Sequence, residues 1–146
     1  MRWIQDPFRQ KSQEATEGQP SQEQQFRAAA RARWQRLGEE LRSDVEEFNR
    51  RQPGAEFFQD DDDSMRVRNS SSGLELTLTA DFDNHTVRYG YSALNERSAG
   101  VPEGGILSMR LCRGGSVEFY SADERLTSEE ARQVLLEPML FPKKAA

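Results

Sequence analysis

The chemistry that this sequence could perform begins with its one histidine. His85 stands beside Asp81, Asp83 and Asn84, and an aspartate that orients a histidine can make it a general base. Such a base also needs a nucleophile or substrate within reach and a concave site around it. Because the sequence places His85 next to a hairpin turn, we expect a histidine that only flanks that turn. A hydrolase or isomerase built on His85 and Asp83 is therefore a third hypothesis, behind the two given below.

A run of four aspartates at 60–63 could collect a hard cation, since Ca²⁺ takes several carboxylate oxygens. The run lacks the alternating spacing and the distal glutamate of an EF-hand loop. Consecutive side chains on a hairpin also point in different directions. We therefore expect a solvated acidic turn and no metal site.

An arginine-rich stretch, with Arg27, Arg31, Arg33 and Arg36 around Trp34, could contact nucleic acid. Proteins that follow a phosphate backbone carry their charges on one face, with aromatic residues beside them. On a helical wheel these arginines scatter, whereas Trp34 belongs to an apolar stripe. The net charge of −5 also disfavours a polyanionic partner. We expect no nucleic-acid binding.

Several catalytic and nucleotide-binding motifs are absent from the sequence. The glycine-rich segments at 100–105 and 114–115 are not followed by Lys-Ser/Thr or by a helix, as phosphate-binding loops are. There is no G-x-S-x-G nucleophile motif. The three lysines are Lys11, Lys143 and Lys144, all in the predicted arm and tail, so we expect no Schiff-base lysine and no Walker lysine within the fold. We predict no catalytic residue, no cofactor and no enzymatic activity.

Length and composition favour one domain in a reducing compartment. A chain of 146 residues is typical of a single domain. The single cysteine, Cys112, cannot form an internal disulfide, which points to a reducing environment. No apolar run reaches the roughly 18 residues of a membrane span, and the first residues lack the apolar core of a signal peptide. We expect a cytoplasmic protein without membrane association.

The chain divides into an arm, a domain and a short tail. Residues 1–20 are polar and contain two prolines, which is typical of a flexible arm. Three apolar residues are unusual in such a segment and could dock on the domain or on a partner: Trp3, Ile4 and Phe8. A single α+β domain is predicted over 21–142, with a charged tail at 143–146.

A long helix is predicted from Ser21 to the residue before Pro53. Ser21 and Gln24 form a capping box, and Pro53-Gly54 ends the helix. Apolar residues recur at spacings of three and four and form one narrow stripe. The stripe consists of Phe26, Ala30, Trp34, Leu37, Leu41, Val45 and Phe48. Burial of this stripe should hold the helix in place.

The central hairpin has the clearest strand pattern in the chain. Apolar and polar residues alternate from Leu74 to Phe82, which is typical of a half-buried strand. Asp83-Asn84 then supplies a two-residue turn that tolerates positive φ. This turn sets Leu78 opposite Tyr89 on an apolar face. A slip of one residue would place leucine against arginine, so the register is well determined.

Further hairpins extend the predicted sheet. Residues 55–59 and 64–69 form a strand pair around the aspartate run. A later hairpin has the three-residue loop Arg113-Gly114-Gly115, with glycine at its last position. Between the two hairpins lies a long polar loop at 93–104, which we expect to be mobile and to carry function.

A short helix is predicted near the C-terminal end of the domain. Thr127 and Glu130 form its capping box, and the helix should end near Glu137 because Pro138 follows. The predicted fold class is therefore α+β. A long N-terminal helix packs on an antiparallel meander sheet of about six strands, and a short C-terminal helix follows.

Two surfaces carry the leading functional hypotheses. The first is a non-enzymatic cytoplasmic protein-interaction module, with self-association as one option, that uses an open sheet face or a strand edge. Its candidate residues on the polar sheet face are Arg66, Arg68, Thr77, Thr79, Arg88 and Arg110. The alternative is a carrier of a small apolar ligand, with a pocket between the long helix and the sheet. Its candidate lining residues are Trp34, Leu37, Tyr89, Tyr91, Met109 and Phe119.

Overall fold

The computed structural model describes residues 21–98 and 100–142. The predictions for the arm at 1–20 and the tail at 143–146 lie outside these residues. Two helices and seven strands form within the described ranges. They are α1 (Gln22–Arg51), β1 (Ala55–Asp61), β2 (Ser64–Asn69), β3 (Leu74–Asp81), β4 (Thr86–Ala93), β5 (Gly105–Leu111), β6 (Val117–Ser121), β7 (Glu124–Leu126) and α2 (Ser128–Leu140). The predicted α+β class is confirmed.

The strands form one antiparallel sheet whose spatial order follows the chain from β1 to β7. Each strand pairs with the next one along the chain, so the sheet needs no crossover connection. The sheet has one strand more than the predicted six because Glu124–Leu126 pairs with β6. The two edges of the sheet are therefore β1 and β7.

The register of the central hairpin is confirmed. Leu78 pairs with Tyr89, and Leu76 pairs with Tyr91. Both leucines are fully buried and both tyrosines are half-buried, so these pairs lie on one apolar face. Alternation along the strand was sufficient to determine the pairing, because a slip would expose the leucines.

The turn of this hairpin differs from the prediction. The loop has four residues, 82–85, and the positive φ of 56° belongs to His85 rather than to Asp83 or Asn84. The Asp81 carboxylate accepts hydrogen bonds from the Asn84 backbone nitrogen at 3.1 Å and side-chain nitrogen at 2.7 Å. These two bonds fix the backbone between Asp81 and Asn84. The residue with positive φ is therefore the next one, His85. The predicted two-residue turn was therefore wrong, although the register was right.

The later hairpin forms as predicted. Leu111 pairs with Val117, and the Cys112 nitrogen donates to the Ser116 carbonyl oxygen at 2.7 Å. Both glycines of the three-residue loop adopt positive φ, at 90° and 83°. A side chain would be strained at either position, which explains the Gly-Gly pair.

The helix α1 begins and ends where the sequence predicts. The Ser21 hydroxyl oxygen accepts from the Gln24 nitrogen at 3.1 Å, and the Gln24 side chain accepts from the Ser21 nitrogen at 3.0 Å. All seven residues of the apolar stripe are buried, with at most 8% of any one exposed. The Trp34 indole nitrogen donates to the Asp62 carbonyl oxygen at 2.8 Å. This bond satisfies the one polar atom of the stripe and joins α1 to the β1–β2 turn.

Both helices pack on the same face of the sheet, which we call the inner face. A Cβ added at Gly38 of α1 would lie 3.0 Å from the Met65 side chain, so glycine allows close approach to β2. Asn69, also on β2, donates from its side chain to the Met139 carbonyl oxygen of α2 at 3.0 Å.

Neither described helix combines the length and apolar character that crossing a bilayer requires.

The helix α2 extends past its predicted end. The capping box of Thr127 and Glu130 is confirmed, but the helix continues through Pro138 to Leu140. The prediction that the helix ends near Glu137 was therefore wrong. Proline usually disrupts a helix because it lacks the donor for the carbonyl four residues earlier.

A tyrosine of β4 replaces the donor that Pro138 lacks. The Tyr91 hydroxyl approaches the Val134 and Leu135 carbonyl oxygens at 3.2 and 2.7 Å. Val134 is the residue whose carbonyl Pro138 leaves without a helical partner. Burial raises the pKa of Tyr91, so its hydroxyl stays protonated as a donor. Tertiary structure thus supports the last turn of α2.

We expect the Tyr91→Phe variant to lower the free energy of unfolding by about 1–2 kcal/mol, because buried helix carbonyls lose their donor. Urea denaturation followed by circular dichroism measures the change. Tyr89→Phe is the matched control, since the Tyr89 hydroxyl makes no hydrogen bond with a described residue. Its expected effect is below about 0.5 kcal/mol. Equal losses in the two variants would show that the Tyr91 hydroxyl does not support α2.

Candidate interaction surfaces

The residues predicted to line a ligand pocket lie between α1 and the inner face. Four of them are core residues, each at most 1% exposed: Trp34, Leu37, Met109 and Phe119. Tyr89 and Tyr91 are half-buried, with their rings edge to face and their centroids 6.1 Å apart. Two grooves, of about 580 and 850 Å³, lie beside α2 and are lined by other residues. The ligand pocket stays a prediction, and the packing at these positions does not favour it.

The residues predicted to bind a protein share the opposite face of the sheet, which we call the outer face. Arg66 pairs with Thr77 across β2 and β3, and Thr79 pairs with Arg88 across β3 and β4. The alternation along each strand places the whole predicted set on this face: Arg66, Arg68, Thr77, Thr79, Arg88 and Arg110. No helix among the described residues covers it. The sequence therefore identified a shared surface, whose role stays a prediction.

An arginine–aromatic cluster forms one side of the outer face. The Arg66 and Arg68 guanidinium carbons lie 4.8 and 6.0 Å from the centre of the Phe58 ring. Arg66 also bonds to Asp60 at 2.7 Å, and Arg68 bonds to Glu75 at 2.6 Å. The hydrogen bonds from Arg66 hold the pKa of Asp60 below its usual value. Both arginines are thus oriented by a ring and neutralised by a carboxylate.

The centre of the outer face is more open. Arg88, on the middle strand β4, forms no salt bridge with any described residue. Its cross-strand neighbour Ile106 is 54% exposed. Two residues further along β4, nothing lies within 4 Å of a Cβ added at Gly90. A guanidinium that interacts with Asp81 but forms no salt bridge, an exposed aliphatic side chain and a glycine with open space above it therefore adjoin one another.

The outer face carries both signs of charge. The strands place five arginines on it: Arg66, Arg68, Arg88, Arg110 and Arg125. They also place five acids on it: Glu56, Asp60, Glu75, Asp81 and Glu118. Asp123 of the β6–β7 turn adds a further acid, which pairs with Arg110 at 3.0 Å. A face of mixed charge has no strong long-range attraction for a polyanion.

The edges of the sheet are less suited to a partner strand. The edge β7 has only three residues. The edge β1 carries Glu56, Asp60 and Asp61, and its register shifts between Gln59 and Asp61. Antiparallel pairing of two β1 strands about Phe58 would set Glu56 against Asp60, which like charges oppose. Charged and irregular edges of this kind resist strand addition.

The loop at 93–104, in which Ala99 is not described, returns to β4 at Gly104. A Cβ added at Gly104 would clash with the Tyr89 carbonyl oxygen and lie 2.8 Å from the Gly90 Cα. Only glycine therefore lets the loop lie this close to β4. The functional role predicted for the loop stays a prediction.

His85 contacts the first turns of α1. Its Nε2 atom lies 3.1 Å from a Glu23 carboxylate oxygen, and its ring stacks on Phe26 with centroids 3.7 Å apart. The Asp83 carboxylate contacts Arg27 instead of His85. The cluster therefore joins α1 to the β3–β4 turn, and the geometry offers no support to catalysis by His85 and Asp83.

Arg31 and the aspartate run are engaged within the domain. Arg31 lies 3.8 Å from Asp63 and above the Phe82 ring at 4.7 Å. The Asp61 carboxylate accepts from the Asp63 nitrogen at 2.8 Å. Among the described residues, no three or more potential ligands form a group that could hold a metal ion.

A polar seam between the two helices was not predicted. Glu40 of α1 accepts hydrogen bonds from Arg33 at 3.0 Å and from the Ser128 hydroxyl. One turn further on, Asp44 bonds to Arg132 of α2 at 2.6 Å. The sequence signal was the Glu40–Asp44 spacing of four, which places both acids beside the apolar stripe. The partners lie 88 residues away in sequence, so local periodicity could not identify them.

Comparison with known proteins found no match to a protein-family model, to a curated protein or to a solved structure. The function has to be inferred from the surfaces themselves. Contacts within the domain do not account for two surface features. These are the open outer face and the groove of about 850 Å³ that α2 forms with the end of α1.

The seam predicts a pH dependence of stability. Burial alone would raise the pKa of Glu40, but hydrogen bonds from Ser128 and Arg33, with the charges of Arg33 and Arg132, lower it below its ordinary value of 4.5. The ionised form is thus favoured in the folded state. Its contribution is present above pH 4.5 and is lost as the pH falls through the lower folded-state pKa.

We expect the free energy of unfolding to fall more steeply below pH 4.5 in the wild type than in the Glu40→Gln variant. Urea titrations at a series of pH values measure this slope. Glu39→Gln is the control, because Glu39 is exposed and forms no salt bridge with a described residue. If Glu40→Gln and the wild type lose stability in parallel, the seam does not act through the Glu40 charge.

Proposed function

We propose that this chain is a non-enzymatic cytoplasmic protein-interaction module that binds its partner through the outer face of the sheet. The observation that carries the proposal is the centre of that face. Arg88 forms no salt bridge with a described residue there, and the adjacent Ile106 is 54% exposed. Arginine is enriched in protein-binding sites, and an exposed isoleucine beside it adds apolar surface that a partner can bury.

The partner that fits this face best is a second copy of the chain. In a two-fold dimer the same patch meets itself, so each charge must find its complement on an identical surface. The outer face carries both signs of charge, so opposite charges can pair across such an interface. A face with one sign of charge would repel its own copy.

The size of the face sets the expected strength of the dimer. Seven strands spaced about 4.8 Å apart, each some six residues long, cover roughly 30 by 20 Å, or about 600 Å² per partner. Stable interfaces bury about 800 Å² per partner, so this face lies at the small end of the range. We expect a reversible dimer with a dissociation constant of the order of micromolar.

Two further features support a binding role in the cytoplasm rather than catalysis. The one histidine contacts Glu23 and Phe26 and packs against α1. The single cysteine, Cys112, has its sulfur 3.6 Å from the Tyr120 hydroxyl. A lone cysteine suits a compartment in which thiols stay reduced.

Sedimentation equilibrium over a concentration series should show a monomer–dimer equilibrium for the wild type. The Ile106→Asp variant should weaken the dimer by about tenfold or more, because it places a charge at the centre of the contact. Val101→Asp is the matched control, since Val101 is an exposed β-branched residue of the loop, 51% exposed, whose neighbours Gly100 and Pro102 line a groove beside α2. Its dimerisation should equal that of the wild type.

Two results would overturn self-association through the outer face. One is a wild-type chain that stays monomeric at the highest concentration reached. The other is an equal loss of dimer in Ile106→Asp and Val101→Asp. Both positions are exposed, so circular dichroism should show the same fold in all three proteins.

A further inference from the structure

A groove of about 850 Å³ lies between the last two turns of α1 and one side of α2. Its floor is apolar and includes the buried residues Phe48, Leu136 and Leu140, and the exposed Phe141 also lines the groove. Phe141 is 63% exposed, and its ring meets Phe48 edge to face at a centroid distance of 5.5 Å. We call this feature the α1–α2 groove. An exposed phenylalanine over an apolar floor favours a ligand with apolar side chains.

The rim of the α1–α2 groove is acidic. It carries four acids and two arginines, namely Asp44, Glu47, Glu129, Glu137, Arg51 and Arg132. Arg132 is already engaged by Asp44 at 2.6 Å. Glu47 and Glu129 form no salt bridge with any described residue. Burial raises the pKa of Asp44, and the charges of Glu47 and Glu40 add to the rise, although Arg132 opposes it. A ligand that brings positive charge would relieve this repulsion.

One segment of this chain has the complementary composition. Residues 2–11 contain the apolar residues Trp3, Ile4 and Phe8. The same segment carries three basic residues and one acid, namely Arg2, Arg9, Lys11 and Asp6. Apolar groups would meet the groove floor, while the basic groups would meet the rim. This segment lies outside the described residues.

The length of the chain permits this contact within one molecule. Phe48 lies 27 residues after Ser21 in sequence, which corresponds to roughly 40 Å along the helix. Phe8 lies 13 residues before Ser21, and a chain of that length spans at most about 45 Å when extended. The segment can therefore reach the groove of its own chain when the linking residues are nearly extended.

We infer that residues 2–11 occupy the α1–α2 groove of the same chain. Trp3, Ile4 and Phe8 cover the apolar floor, and the basic residues pair with Glu47 and Glu129. The groove is thus a site for basic peptides with aromatic residues, and the chain carries its own occupant. This surface is separate from the outer face, so its test does not depend on dimerisation through that face.

A photo-crosslinking amino acid at position 8 of the full chain tests the inference. Irradiation should give crosslinks within one chain to Phe48, Leu136, Leu140 or Phe141, which peptide mass spectrometry can map. The paired change Glu47→Lys and Glu129→Lys should reduce these crosslinks. The matched control is Glu39→Lys with Glu46→Lys, two exposed acids of α1 that do not line the groove. It should leave the crosslinks unchanged.

Trypsin provides a second measurement without a modified residue. Occupation of the groove should slow cleavage after Arg9 and Lys11 by about tenfold relative to the Glu47→Lys, Glu129→Lys protein, which corresponds to about 1.4 kcal/mol of binding. Crosslinks to the outer face, crosslinks only between two chains, or equal cleavage in the two proteins would overturn the inference. Crosslinks within one chain at the groove floor, lost in the groove variant alone, would support it.

Discussion

The burial of one narrow apolar stripe of α1 against the inner face is the interaction on which the rest of the structure depends. Seven side chains from Phe26 to Phe48 are removed from water, which contributes of the order of 10 kcal/mol. The ion pairs of the polar seam are partly buried, so the cost of removing their charges from water offsets much of their attraction. The polar seam between the helices therefore refines an arrangement that apolar burial has already determined.

This packing leaves the sheet with two unlike faces. Because both helices lie on the inner face, the outer face keeps its threonines, arginines and acids in contact with solvent. The edges are short or charged, so the face rather than an edge is the surface open to a partner. At the far end of α1, the same packing brings α2 close enough to form a groove with an acidic rim. Each proposed binding surface is thus a part of the domain that the helices leave exposed.

The parts of the fold that follow a local period were predictable. The stripe of α1, the alternation of β3 and the glycines of the β5–β6 loop each express a rule that operates within about ten residues. The extension of α2 past Pro138 was not predictable, because the donor that replaces the proline nitrogen comes from Tyr91, more than 40 residues earlier. The turn at His85 was misjudged because the Asp81 side chain decided its geometry.

The candidate surfaces also include features that the sequence could predict and features that it could not. Strand alternation was enough to place Arg66, Arg68 and Arg88 on one face. Alternation could not show which of these arginines lacks a salt bridge, since that depends on carboxylates from neighbouring strands. The α1–α2 groove and the polar seam join residues more than 80 positions apart, and nothing in the local sequence marks such pairs. The residues of the predicted ligand pocket do lie between α1 and the inner face, where four of them are at most 1% exposed, and the pocket itself stays a prediction.

The central claim is that Leu76 faces the helices while its neighbour Thr77 faces a partner. Maleimide labelling of the Leu76→Cys and Thr77→Cys variants, each with Cys112→Ser, tests both halves at once. The account predicts slow labelling of the Leu76→Cys variant at every concentration. The Thr77→Cys variant should label rapidly when dilute and more slowly as the dimer forms. Rapid labelling of Leu76→Cys, or a Thr77→Cys rate that does not change with concentration, would contradict it.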